Sequence, residues 1–184
     1  MDGTELTTRL ARPGELAALE AMYAQAIELM AGSPEDVAWE MGSHPSRQQL
    51  QEAIAHGKLL VATCPGASGG EEELCGALIL DELAAQGYDA VPWSIEVPPE
   101  QAAVIHLFVV APAARGCGVA RPLLAAAAQL ARERGRKTVR LDVFPNAAHA
   151  IEVYKACGYT DLGLHEIRYS TCDNTTFRLL DLVL

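Results

Sequence analysis

Apolar residues recur at helical spacing through 15–30, where Leu16, Leu19, Tyr23, Ile27 and Met30 form one stripe. A strand over 5–12, ended by Pro13-Gly14, is predicted before it. After a break at Gly32-Ser33-Pro34, the run Ser33-Pro34-Glu35-Asp36 predicts a second helix start, with an N-cap, proline at the first helical position and acids in the first turn. Another break over 42–46 precedes a short helix through Leu50 and Ile54 that stops near His56-Gly57. Residues 58–63 and 74–81 read as strands, joined by a glycine- and glutamate-rich hairpin tip over 65–73 that is expected to be mobile. With three prolines and little periodicity, 86–100 is predicted to be a long loop.

Residues 104–110 form a continuous apolar run broken only by His106, as in a central strand. The chain then turns through Pro112-Ala113-Ala114-Arg115-Gly116-Cys117-Gly118 into a helix that buries Leu123, Leu124, Ala127, Leu130 and Ala131 and ends at Gly135. Val139, Leu141 and Val143 alternate as a strand, and 147–157 is a helix stopped by Gly158. Strands over 159–169 and 176–184 flank a turn at Cys172-Asp173-Asn174. There is no internal repeat or linker, so residues 1–184 are expected to form a single mixed α/β domain.

A strand feeding a glycine-bearing helix N-terminus is a ready-made anion site. Its first amides have no intrahelical carbonyl to bond, and the helix dipole favours negative charge there. The net charge of −10 argues against nucleic acid as that anion, yet eight of the fourteen lysines and arginines lie between 115 and 155. Arg115 and Arg121 are the natural phosphate neighbours; the more distal cations suit a solvated helix face and its C-terminal turn. No apolar run approaches the roughly 18 residues of a membrane span, and the start of the chain carries no secretory pattern. Five cysteines (64, 75, 117, 157 and 172), odd in number and without Cys-x-x-Cys spacing, predict buried or incidental thiols in a reducing cytoplasm and no metal site.

Val110-x-Pro112-x-x-Arg115-Gly116-x-Gly118, followed by Arg140-Leu141-Asp142, Asn146, Tyr154 and Gly158-Tyr159, resembles the motif series of the GNAT (GCN5-related) N-acetyltransferases over 104–159. The predicted element order is similar to that family along the whole chain. The resemblance implies a central, mostly antiparallel mixed sheet with splayed central strands, flanked by helices. It also implies acetyl-CoA as co-substrate and direct transfer of the acetyl group to a primary amine of a small molecule or peptide. It leaves a homodimer open. Two departures stand out: the interval from Asn146 to Tyr154 is one residue longer than is common, and Pro122 sits early in the helix after the loop.

By this resemblance, the loop residues Gly116, Cys117, Gly118, Val119 and Ala120 would bind the pyrophosphate, with Arg115 and Arg121 adding charge. The strand end Phe108, Val109 and Val110 would pair with the pantetheine arm and offer an amide to the thioester oxygen. Asn146 would lie beside the pantetheine, and the Tyr154 hydroxyl would protonate the departing thiolate. Taken alone, Tyr154 is equally a packed interface tyrosine. An acceptor amine near pKa ~10 must lose a proton before it attacks, and His106 is the one side chain in its strand suited to take it. The alternative for His106 is a hydrogen-bonded core histidine. Strict alternation would set it on the face of Phe108 and Val110. Trp39, Trp93 and Asp142 are candidates for the acceptor pocket, with His44 and Glu96 in the same segments; a cationic amine would suit aromatic rings beside an acid. Each is equally explained by packing, surface position or, for Asp142, a structural hydrogen bond. Cys117 lies in the phosphate loop, away from the thioester, which argues against an acyl-enzyme.

Two other readings compete. A dinucleotide fingerprint would need a third glycine where Arg121 stands and successive βαβ units, which the chain lacks. A non-catalytic acyl-CoA-binding sensor would share the loop; His106 and Tyr154 favour catalysis.

Overall fold

A computed structural model of the chain describes residues 6–33, 36–37, 39–66, 72–170, 173 and 175–184. The elements are β1 (Thr7–Leu10), α1 (Leu16–Met30), α2 (Arg47–Ala55), β2 (Leu59–Pro65), β3 (Glu72–Asp81), β4 (Ala102–Val110), α3 (Ala120–Glu133), β5 (Thr138–Val143), α4 (Ala148–Ala156), β6 (Thr160–Glu166) and β7 (Thr176–Val183). The strands make one seven-stranded sheet in the order β1-β2-β3-β4-β5-β7-β6. Among the described residues, only the β4–β5 pairing is parallel, so the sheet is mixed and mostly antiparallel.

Each face of the sheet is covered by helices, because both sets of strand side chains are apolar. On one face, Leu78, Leu80, Ala103, Ile105 and Leu141 pack against Leu123, Leu124 and Ala127 of α3 and Tyr154 of α4. Gly76 permits this approach: a Cβ there would stand 2.9 Å from the Val109 carbonyl oxygen and 3.0 Å from Val119 Cγ1. On the other face, Val61, Ala77, Ile79, Leu107 and Val109 meet Leu19, Tyr23 and Ala26 of α1 and Leu50 of α2. A third cluster of Ala85, Tyr88, Val91, Val104, Ile167 and Phe177 shows that the loop between β3 and β4 covers the sheet beyond α1.

Two features of β4 shape the centre of the sheet. Its parallel pairing with β5 runs only from Ala102↔Thr138 to Val104↔Arg140 and then stops, while β5 stays paired with β7 through Val143. The two strands therefore splay. On the other edge, the register with β3 passes from Ile79↔His106 to Ala77↔Val109, so β4 carries one extra residue, a β-bulge. Leu107 takes φ 51°, a left-handed conformation unusual for a branched side chain. The fully buried Tyr23 of α1 donates its hydroxyl to the Leu107 carbonyl at 2.6 Å and holds the bulge in place.

The bulge overturns one expectation. Alternation through β4 would put His106 on the face of Phe108. Instead His106 sits opposite Ile79 on the α1 face, while Phe108 packs into the α3–α4 cluster. The helix predicted from Ser33 is also absent among the described residues that follow it: 36, 37 and 39–46 form extended segments and a turn, closed by a Glu40↔His44 bridge. There Val37, Trp39 and Met41 alternate, and Gly42 at φ 95° breaks any helical path. Pro34 and Glu35, the centre of that prediction, lie outside the described residues, as does the hairpin tip 67–71. The cysteines are a further correction: Cys64 and Cys75 are paired across β2 and β3, with a Cα–Cα distance of 6.4 Å. The antiparallel hairpin brings residues of distant sequence position side by side, which spacing alone does not reveal. Cys117 and Cys157 are free, and Cys172 lies outside the described residues.

Candidate active site

A cavity of about 530 Å³ fills the splay between β4 and β5. It is lined on the α3–α4 face by Val119, Val153 and Tyr154 and on the α1 face by Trp39, His44 and Tyr169. The gap in the sheet thus connects two chambers.

The first chamber begins at the loop after β4. Gly116 and Gly118 both take φ +78°, which side chains rarely adopt, and this turns the chain into the first residues of α3. Gly116, Gly118, Val119 and Ala120 line the cavity, as does Arg115. The first-turn amides of α3 lack intrahelical acceptors and carry the positive end of its dipole, so this lining suits a phosphate-bearing ligand. The helix begins at Ala120, which leaves Pro122 in the first turn, where a missing N–H costs no helical bond. Phe108, Val109 and Val110 line the next stretch, on a β4 edge that no strand occupies past Val104. Such an edge can accept an extended ligand as if it were a strand.

Tyr154 closes this chamber. Its ring packs 5.8 Å from Phe108 and 5.7 Å from Tyr159. Burial pushes its phenol well above the ordinary tyrosine range, so the hydroxyl keeps its proton at neutral pH.

The second chamber holds His106. Its Nε2 lies 2.9 Å from the Leu83 carbonyl oxygen and 3.2 Å from Asp81 Oδ1. Both neighbours are acceptors, so in the neutral ring Nε2 carries the hydrogen and Nδ1 keeps the lone pair. Burial opposes a charge on this ring, but the Asp81 hydrogen bond and negative charge outweigh it and raise its pKa. Asp81 is itself fixed by the Leu83 amide at 2.8 Å. His44, also in the lining, is pushed the other way, first by burial and then by His106.

Asp142 stands at the end of β5. Its Oδ1 accepts hydrogen bonds from Tyr88 at 2.5 Å and Tyr169 at 2.6 Å. Burial first, then the Asp142 charge, lifts both phenols far above their usual range, so they stay donors. Trp39 sits 6.3 Å from the Tyr23 ring and 6.2 Å from His44.

The cavity gathers Phe108, Val109, Val110, Arg115, Gly116, Gly118, Val119, Ala120, His106, Tyr154, Trp39 and Asp142 of the predicted set. It does not gather Cys117, Arg121, Asn146 or Trp93. Asn146 donates to the Asp36 carbonyl at 3.0 Å, and its neighbour Ala147 is in the lining. Trp93 lies under the Arg140 guanidinium, 4.4 Å from its ring centroid, and donates to the Tyr88 carbonyl. Glu96 is exposed. Sequence reasoning missed Asp81, Tyr88, Tyr169 and Tyr23. Only Asp81 had a signal, a carboxylate ending an apolar strand. Among the described residues, no group of three or more His, Cys, Asp or Glu is placed to hold a metal ion, and no helix is long and apolar enough to cross a membrane.

Comparison with known proteins gives this geometry a context. The family model for the acetyltransferase (GNAT) family matches residues 27–159. No curated protein sequence matches the chain. Among solved structures, a GNAT-family acetyltransferase from Streptococcus agalactiae is similar at TM-score 0.74 and 17% identity, covering 97% of this chain and 95% of its own. The yncA protein of Salmonella typhimurium, solved with its cofactor acetyl-CoA, is similar at TM-score 0.65 and 16% identity, covering 98% and 94%. Spermidine N-acetyltransferase from Vibrio cholerae, in complex with CoA and spermine, is similar at TM-score 0.61 and 17% identity, covering 97% and 95%. At these identities the likeness is one of fold.

Proposed function

Because this chain belongs to the acetyltransferase (GNAT) family, we propose that it transfers an acetyl group directly from acetyl-CoA to a primary amine. The observation that carries this reading is the two-chambered gap, with a protonated tyrosine on one side and an oriented histidine on the other. The similar structures bound to acetyl-CoA, or to CoA and spermine, support both the donor and an amine acceptor.

In this reading the α3 amides and Arg115 hold the pyrophosphate, and the free edge of β4 from Phe108 to Val110 receives the pantetheine arm. The thioester then lies in the gap beside the bulge, where a β4 amide stabilises the developing oxyanion. The acceptor enters from the α1 face, past Trp39. His106 Nδ1 takes a proton from the amine, directly or through one water, and the freed nitrogen attacks the thioester carbon. Collapse breaks the C–S bond, and Tyr154 gives its proton to the leaving sulfur, whose ordinary pKa of about 8.5 makes it basic enough to need one. Asp81 acts through His106: it fixes the ring and its tautomer.

The direct test is release of CoA thiol from acetyl-CoA with a panel of amines, polyamines and peptides. Amine-dependent release is the expected result. Tight acetyl-CoA binding without release for any acceptor would instead favour a sensor.

A further inference from the structure

The charge inventory of the acceptor chamber is lopsided. Among the described residues lining the cavity, Arg115 is the one guanidinium or ammonium and Asp142 the one carboxylate; three histidines and two tyrosines, Tyr154 and Tyr169, complete the titratable set. Arg115 belongs to the phosphate loop. The chamber on the α1 face therefore holds a fixed carboxylate without a permanent cation of its own, amid Trp39, Phe144, Tyr169 and Phe177. His44 and His106 do not supply one freely. Burial pushes His44 down, and His106 already serves Asp81.

Asp142 is also held still. Two phenols from separate segments, 54 and 27 residues away in sequence, donate to the same oxygen. Two such hydrogen bonds fix the plane of the carboxylate. Both end on Oδ1, which leaves Oδ2 for a ligand.

We propose that Asp142, clamped by Tyr88 and Tyr169, makes the acceptor chamber selective for cationic amines with an apolar or aromatic body, and rejects amines that carry a carboxylate. This rests on the acetyltransferase reading for what the chamber is, but the preference itself is a binding property. Asp142 Oδ2 receives the positive group of the acceptor, and the aromatic walls take its carbon skeleton. An α-carboxylate in the same chamber would meet a like charge and no guanidinium or ammonium to pair with it. Amino acids are thus excluded by charge, whereas their decarboxylated counterparts fit.

Matched pairs decide this: tyramine against tyrosine, histamine against histidine, and agmatine against arginine. Each is titrated calorimetrically into the CoA-loaded protein and, separately, assayed as an acceptor with acetyl-CoA. The decarboxylated member of each pair should bind about tenfold tighter or better. In Asp142→Asn that ratio should fall toward unity, with acetyl-CoA affinity unchanged. Tyr88→Phe/Tyr169→Phe, which keeps the carboxylate but frees it, should lower the ratio less. Equal binding within the pairs, tighter binding of the amino acids, or no binding of either member overturns the proposal. Selective amine binding without thiol release would keep the preference and remove the acetyltransferase reading instead.

Discussion

The two chambers of the cavity are built by different means. The chamber proposed for acetyl-CoA is built mainly of backbone, a strand edge, a two-glycine loop and a helix N-terminus within the consecutive segment 104–120, with Val153 and Tyr154 of α4 closing it. The chamber proposed for the acceptor is made of side chains from separate segments, Trp39, His44, His106, Asp142 and Tyr169, with Asp81 and Tyr88 holding His106 and Asp142 from behind. Backbone groups offer the same donors whatever the side chains are, so the first chamber suits a donor shared by many enzymes. Side chains can be exchanged one at a time, so the second can be tuned to its acceptor without disturbing the first.

The contrast can be broken at the gap, where the two chambers meet. Tyr154→Phe keeps the ring packed against Phe108 and Tyr159 but removes the hydroxyl proposed as the proton donor. Turnover should fall by roughly 10²-fold or more, with acetyl-CoA affinity unchanged in calorimetry. Unaltered turnover would rule out the acid role.

Asp81→Asn probes the acceptor side alone. The pKa of His106 is raised by Asp81, and in the proposed mechanism the neutral ring is the base, so activity should climb as pH passes that raised value. Without the carboxylate the pKa drops, and the acidic limb of the pH–rate profile should move to lower pH. A limb that stays in place in both Asp81→Asn and His106→Ala would show that another group governs it.

The smallest effect is expected from Tyr23→Phe. It removes the hydroxyl that bonds Leu107 while leaving the packed ring, and should cost about 1 kcal/mol of stability, read as a lower urea midpoint at constant slope. An unshifted midpoint would mean the bulge holds itself.

The same contrast explains what could be read in the sequence. Loop, helix start and entering strand are contiguous, and their residue types follow from backbone chemistry, so Val110 to Ala120 was legible in order. Tyr154 could be named through the family resemblance, by its place four residues before Gly158. Asp142 could be named but not its partners, since Tyr88 and Tyr169 reach it only after the sheet has formed. Asp81 meets His106 on a diagonal of adjacent strands, which depends on a register shift no single segment displays. The contact of Trp93 with the buried Arg140 was likewise invisible, since the two meet only in the folded sheet.

That register shift has a consequence for how β4 can vary. One extra residue reverses the parity of the strand, so positions before Leu107 and positions after it obey opposite rules for inside and outside. His106 and Phe108, two apart, would share a chamber on a regular strand; here each faces its own. Substitutions along β4 change one wall of one chamber, but inserting or deleting a single residue between His106 and Phe108 would exchange the walls between chambers. The strand can therefore drift in composition while its length is fixed.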